Sequence, residues 1–426
     1  MTFCQHAHCA SNRDESATGV AGEEEILEAD PAMLLEMLRT VPDCRGRKGR
    51  RYALSFILAV WVVAALAGAM NYREMAAVAA SIPQTALCVL GAEWSYFSRR
   101  HEYPRRSTIR AVLAVVDADE LDRITTEWLL LQARRNQEDD GSFSWVMALD
   151  GKVMRGAWTD ENSTVTLFSA MLHRQAVTIA QVMVPEDTKE TAQVKALTEK
   201  SGLREGERVL ATLDAAHASR ETAKLIAGKQ GWDYLITVKT DKKNLYRQAA
   251  RAVLPALPGP PHDVMTESSR GRTTKWSCWT ASAESVNFPH IRQVACIIRE
   301  AFDRAGEKTS KEVAIKVTSA GPEKETAADL NRHARDHWGI KNKSHYVRDT
   351  VYGEDRNQTF KGNGPQALAS LHNLAIGLLC LKNVKAIRET MQEIHLDRRL
   401  ALAYMATERN ISYLALSSNG PAALPP

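Results

Sequence analysis

Val146-Met-Ala-Leu-Asp-Gly-Lys152 is an apolar run that stops on a single acid, Asp150, with a glycine and a lysine directly behind it. An ionised carboxylate at the end of a buried strand is costly unless a counter-charge meets it, so it builds a core badly and holds a cation well. The pattern recurs at Val209-Leu-Ala-Thr-Leu-Asp-Ala-Ala-His217, where a second apolar run ends on one acid, Asp214. Two such strand ends invite a hard, oxygen-liganded cation, Mg²⁺ or Mn²⁺. The plainer alternative is that each Asp caps the helix that follows it.

The segments around these acids set the fold class. Residues 146–149 read as a strand, and 164–171 and 176–184 as two more, rich in β-branched side chains, which predicts an antiparallel meander. Asp187-Thr-Lys-Glu190 has the form of a capping box with Asp in place of Ser or Thr, opening a helix that stops near Gly202. A fourth strand ends at Asp214, a helix covers about 216–228, and 232–238 makes a fifth strand. The order βββαβαβ is that of a ribonuclease-H-like core, in which strands one and four are neighbours. Asp150 and Asp214 would then lie side by side despite their separation in sequence. Two metal ions about 3.5–4 Å apart could bind there and drive an in-line phosphoryl transfer, with water or a DNA 3′-hydroxyl attacking.

Length and composition set the frame. A chain of 426 residues with 44% hydrophobic content has material for two or three domains. Lys and Arg (55) nearly balance Asp and Glu (51), so the net charge of +4 does not by itself demand nucleic acid. Distribution says more, because the acidic run from Glu23 to Asp30 is followed by the basic Arg45-Gly-Arg-Lys-Gly-Arg-Arg51. Seven scattered cysteines argue against a disulfide framework and point to a reducing cytoplasm. Cys4, His6, His8 and Cys9 are zinc-type ligands, but their spacing is too tight for a finger and no second ligand pair follows.

Residues 52–70 run without a charge, long enough to cross a membrane. The basic residues before them would keep that end inside and export the remaining chain, both acids included. Their recurrent alanines suit a packed core helix, so no membrane association is expected. From 71 to 136 the pattern is helical, and Arg99, Arg100, Arg105, Arg106 and Arg110 cluster just after Trp94, Tyr96 and Phe97. Short helices that begin on basic residues suit a DNA-reading domain, although an ordinary solvated helix end looks the same. The polar run Gln137-Glu-Asp-Asp-Gly-Ser142 marks a domain boundary.

Ala148-Leu-Asp-Gly-Lys152, Leu213-Asp-Ala-Ala-His217, and Arg335-Asp-His-Trp-Gly-Ile-Lys-Asn342 with Arg348-Asp349 and Gly353-Glu-Asp355 together resemble bacterial insertion-sequence transposases of the DDE class. The group is the H-repeat-associated one, and the likeness runs from about residue 43 to 381. It implies an α/β ribonuclease-H-like catalytic core with a β-rich insertion, preceded by an all-helical N-terminal domain. The expected divisions are a partly disordered acidic segment at 1–42, a helical DNA-binding domain at 43–136, the first part of the core at 143–239, the β-rich insertion at 240–320, the last core helices at 321–385, and a C-terminal helix and tail at 386–426. The resemblance also implies two Mg²⁺ or Mn²⁺ ions on Asp150 and Asp214, double-stranded DNA (transposon ends and target) as partner, and a homodimer holding two ends together.

One position departs from the pattern. The family's third acid sits in His-Trp-x-Ile-Glu-Asn, and this chain has Lys341 where that Glu belongs. A unit charge pair at ~4 Å interacts by about 4 kcal/mol at an effective dielectric of 20, so exchanging a carboxylate for an ammonium loses cation binding and adds repulsion. The lysine could even replace the cation as counter-charge for the two aspartates. One reading is a degenerate copy that binds DNA and cleaves poorly or not at all. Another is rescue by a nearby acid, with Glu354 ahead of Asp336, Asp349 and Asp355. A third is a shifted register, which the unbroken run from 335 to 342 opposes.

The remaining expected contacts are basic. Lys152, Arg155, Lys189, Lys239, Lys343 and Arg348 would neutralise DNA phosphates without reading sequence, Arg348 foremost because it falls seven residues past Lys341. His217, one turn beyond Asp214, could touch a phosphate or orient the acid, or simply start a helix at the surface. His337 joins the DNA-binding set, as do Arg270 and Arg272 in the insertion; Trp276 and Trp279 beside them also read as a packed pair. Rival functions are a metal-dependent nuclease using the same acids and a catalytically silent DNA-end binder.

Overall fold

The computed structural model describes residues 31–47, 50–137, 143–158, 164–204, 206–269, 271–356 and 362–406. The cysteine-histidine cluster near the N-terminus, most of the polar linker before β1, Arg270 and the C-terminal tail lie outside the described residues. Around the two acids the chain forms β1 (Trp145–Trp158), β2 (Thr164–Leu172), β3 (Thr178–Val184), β4 (Val209–Leu213) and β5 (Asp233–Val238). The first three make the expected antiparallel meander. Strand β4 then lies parallel to β1, and β5 parallel to β4. Every residue of β4 is buried, as in a strand covered on both faces, which is why it reads as an unbroken apolar run.

Residues of the expected insertion form β6 (Asp263–Ser269), β7 (Arg272–Ser282), β8 (Gln293–Phe302) and β9 (Lys308–Thr318). Strand β9 pairs antiparallel with β5, so these four strands extend the same sheet. The result is a mixed α/β fold on one nine-stranded sheet of order β3-β2-β1-β4-β5-β9-β8-β7-β6.

Ahead of the sheet come α1 (Ala32–Arg39), α2 (Leu54–Leu66), α3 (Tyr72–Ser81), α4 (Gln84–Val89), α5 (Arg106–Val115) and α6 (Ala118–Arg135); the region is not all helical as expected, because Trp94–Ser95 pairs with Arg100–His101 in a small ribbon between α4 and α5. Helix α2 is apolar all round and every residue but Ser55 is buried, so the uncharged stretch is a core helix. After β3, α7 (Glu190–Lys200) crosses to β4; α8 (Arg220–Ala223), continued by a π turn, leads to β5, and α9 (Lys243–Val253) follows it. The capping box expected at Asp187 does not form. The turn at 185–188 closes on itself, with the Thr188 N–H and hydroxyl both donating to the Pro185 carbonyl, so α7 starts later, from Lys189 without a side-chain cap.

After β9 comes α10 (Ala327–Asp336), opened by a Thr326–Asp329 capping box, then a π turn over Ile340–His345, then α11 (Tyr346–Thr350). Helices α12 (Gly364–Leu381), α13 (Ile387–Leu396) and α14 (Leu400–Met405) complete the fold. Helix α12 has the length and apolarity of a membrane span, but it is almost wholly buried between α6, α2 and the sheet. A side chain at Gly377 would run into Leu129 of α6 at 2.6 Å, so glycine there sets how closely the two helices approach. One continuous hydrophobic core joins these helices to the sheet.

Candidate active site

The strand registers lay a polar row across one face of the sheet. Leu149 pairs with Leu213 and Leu213 with Ile236, while Thr237 pairs with Lys316. One step on from the first pair, Asp150 and Asp214 stand side by side where the pairing of β1 to β4 stops, and Thr237 and Lys316 continue the row. Asp214 follows the end of β4, but Asp150 lies inside β1, which runs on to Trp158 because it stays paired to β2, and so does not end its strand as expected. Asp214 also makes the plainer contact expected of it, accepting from the Ala216 N–H at 2.9 Å. On the opposite face, Gly151 has no room for a side chain, because the Glu190 carboxylate lies across it; the same carboxylate stands 3.5 Å from His217 Nε2.

The roof over this row is the segment from α10 to α11. His337, Lys341 and His345 recur every four residues along it, one helical stripe. Lys341 Nζ stands 3.7 Å from Asp150 Oδ1, and His345 Nδ1 stands 3.4 Å from Asp150 Oδ2. The Lys341 ammonium also lies over the Trp338 ring, 5.2 Å from its centroid. Behind them, Thr212 Oγ1 is shared at 2.9 Å by His173 Nε2 and His337 Nδ1.

Electrostatics follow from that packing. Burial pushes the Asp150 carboxyl up, but His345 and Lys341 outweigh it and hold the group below its usual range. Burial drives the His337 imidazole down to about 3, helped by Lys316, so it is neutral. Lys316 is buried and donates to Thr237 Oγ1 at 2.9 Å; desolvation lowers its ammonium to about 8 against the partial compensation of Asp214. Asp150 therefore has Lys341 as its counter-charge, while Lys316, bonded to Thr237, only feels the field of Asp214.

The lowered Lys316 value carries a pH signature. Between about 8 and the ordinary 10.5 the unfolded chain holds a proton that the folded chain has lost, so stability rises with pH across that window. Lys316→Met removes this dependence. The melting temperature of the natural protein is expected to climb relative to that of the variant from pH 8 to 10, and a constant difference would rule the effect out.

Two divalent ions between Asp150 and Asp214 call for a carboxylate-rich cage. Among the described residues no three His, Cys, Asp or Glu side chains are placed to share a metal ion, and the roof position facing Asp150 carries an ammonium. As they stand, these residues do not fit a two-ion centre.

Several expected site residues are engaged elsewhere. Glu354 is not available as a third acid: it is 2% exposed, accepts from Arg348 Nε at 2.9 and 2.8 Å, and is 2.7 Å from His372 Nδ1. Burial alone would raise its carboxyl, but Arg348 and His372 hold it far below the usual range. Arg348 is 0% exposed as the counter-ion of Glu354 and cannot reach a DNA phosphate. Lys152 is buried too, its ammonium on Asp349 and 3.4 Å from Asp355. His217, stacked on Phe168, and His337 are likewise buried rather than at the surface. Arg155, Lys189, Lys239, Arg272 and Lys343 are exposed. Trp279 is packed, its indole donating to the Gly259 carbonyl at 3.1 Å.

Sequence reasoning missed Lys316 and His345. The first has a visible signal, a lone lysine inside Ala314-Ile-Lys-Val317, and the second stands one helical turn after Lys341.

A family profile described as DDE_Tnp_1-associated matches residues 35–129, and one described as Transposase DDE domain matches residues 141–378. The chain is similar to the "H repeat-associated putative transposase YhhI" of Escherichia coli (strain K12), 23% identical over 398 residues, 88% of this chain and 97% of the relative. "Putative protein YbfL" of the same strain matches to the same extent. "Putative transposase YncI" of Escherichia coli O157:H7 is 24% identical over 360 residues, 81% of this chain and 87% of that one. A solved piggyBac transposase synaptic complex with hairpin DNA aligns at 11% identity and a TM-score of 0.38, over 95% of this chain and 84% of that chain. The Transposase DDE domain profile spans more than half of the chain, from before β1 into α12, and with it both aspartates and their roof; the chain belongs to the DDE transposase family of DNA-cleaving and DNA-transferring enzymes.

Proposed function

We propose that this chain is the transposase of a bacterial insertion sequence that binds the element's DNA ends, and that its metal-dependent strand cleavage is impaired by Lys341. The observation that carries this reading is the 3.7 Å approach of Lys341 Nζ to Asp150 Oδ1. The strand order β3-β2-β1-β4-β5, with β4 parallel to both neighbours, supports a ribonuclease-H-like core. Exposed arginines on the N-terminal helices support DNA contact there, and a homodimer would hold two ends at once; the work is done in the cytoplasm.

The chemistry of the DDE class depends on divalent metal ions, which activate the attacking oxygen and stabilise the leaving one. On this reading Asp150 and Asp214 would be the ligands of such ions, but Lys341 lies against one oxygen of Asp150 and His345 against the other. A divalent ion would have to displace or tolerate the ammonium, whose like charge repels it. DNA binding rests on surface arginines and lysines remote from this exchange and survives it.

The test is binding and strand cleavage of DNA carrying the element's own ends, with Mg²⁺ or Mn²⁺, by the natural protein and by Asp150→Ala. Both are expected to bind with the same steep salt dependence, and the natural protein to cut no faster than Asp150→Ala. Metal-dependent cutting that Asp150→Ala abolishes would overturn the impairment, and failure to bind would overturn the DNA reading.

A further inference from the structure

The ribbon between α4 and α5 ends in a tip, residues 96–99, whose Tyr96 and Phe97 are 89% and 102% exposed, the two most exposed large hydrophobic side chains among the described residues. The tip is fastened from below. The Gln84 side chain donates to the His101 carbonyl at 3.2 Å and accepts from its N–H at 2.7 Å, and Trp94 packs edge-on against the His101 ring. The Ser98 N–H donates to Ser95 Oγ at 3.2 Å, and its hydroxyl donates to Glu102 at 3.1 Å. Arg99 takes φ of 49°, a left-handed conformation that a non-glycine residue adopts at some cost. Two large aromatic rings are thus presented by an anchored turn, with no described residue packed over them.

The charges around the tip point the same way. Arg99 and Arg100 are exposed, and neither forms a salt bridge with a described residue. Helix α5 then begins at Arg105 and Arg106 with no side-chain cap and no acid in its first turn. Cations at the positive end of a helix dipole are unfavourable for folding and favourable for an arriving anion. Of the nearby acids, Glu102 is held by Arg51, and Glu93 is exposed at the ribbon's base.

We propose that this ribbon is an aromatic wedge for duplex DNA: Tyr96 and Phe97 stack against a base step that opens at the protein, while Arg99, Arg100, Arg105 and Arg106 hold the flanking phosphates. Aromatic rings beside an opened step and guanidinium groups on the backbone are the chemistry such a step recognises. The inference rests on the reading that the N-terminal helical region contacts DNA.

The experiment uses the full chain and random-sequence duplexes carrying 2-aminopurine at the terminal base pair, either matched or mismatched. The natural protein is expected to bind both and to change the 2-aminopurine emission. Tyr96→Ala with Phe97→Ala should weaken binding about tenfold and abolish the emission change. Arg99→Ala with Arg100→Ala should lower the slope of log affinity against log salt by about two. All these side chains are exposed, so the variants should melt like the natural protein. Unchanged affinity and emission in the aromatic variant would overturn the wedge, as would an effect confined to self-association in sedimentation, which would make the ribbon a contact between copies. A natural protein that binds neither duplex would remove the underlying DNA reading too, whereas bound protein with silent aromatics removes the wedge alone.

Discussion

Lys341→Glu is expected to create a divalent-metal site and to raise metal-dependent strand cleavage by about two to three orders of magnitude, the scale of one well-placed electrostatic stabiliser. The substitution replaces the ammonium 3.7 Å from Asp150 with a carboxylate on the same helical stripe. Without metal the variant loses an attraction and gains a repulsion. Because Lys341 is 40% exposed, the effective penalty is about 1 kcal/mol, far short of the full Coulomb term. Saturating Mn²⁺ then reverses the sign, since a ligand at a hundred times its Kd stabilises by about 2.7 kcal/mol. The natural protein should show no such melting shift with Mn²⁺, and both forms should bind DNA alike. If Lys341→Glu gains neither the shift nor the cleavage, the missing acid does not belong at this position.

Glu354→Ala should cost about 3–5 kcal/mol of stability, because it strands the fully buried Arg348 without a counter-ion. The pair does not stand alone: His372 is 2.7 Å from the same carboxylate and stacks on Tyr352, whose hydroxyl donates to the Ala65 carbonyl of α2. The network thus ties the segment after the roof helix to the core helix. Its pH dependence has a definite sign. The Glu354 carboxyl is held below its ordinary 4.5, so its contribution is complete above that value and is lost as pH falls further into acid. The stability gap between the natural protein and Glu354→Gln should therefore be widest near neutrality and narrow in acid. A Glu354→Ala protein that melts normally yet loses metal-dependent cleavage would instead make Glu354 a functional acid.

Much of the frame was legible in the chain itself. The two apolar runs ending on Asp150 and Asp214, the meander between them and the all-apolar α2 are local patterns, and local patterns survive without knowledge of partners. Lys341 was legible too, because it interrupts a motif at a fixed spacing. Other assignments failed for one shared reason. Arg348, Lys152 and Glu354 look in sequence like surface charges, and whether a charge is solvated or paired in the interior depends on what the fold sets opposite it.

The sequence by itself therefore determined the strand-helix order, the two acids that close the apolar runs, the buried helix and the exchange of an acid for Lys341. Only the tertiary structure decided how those charges are spent. The pairing of β9 on β5 brings Lys316 from the far side of the chain into the row with Asp214, and the coil of the roof helix brings Lys341 and His345 onto Asp150. Both depend on registers between distant segments, which no short window of residues contains, and they set Lys341 against Asp150 where the family's pattern would have placed a carboxylate.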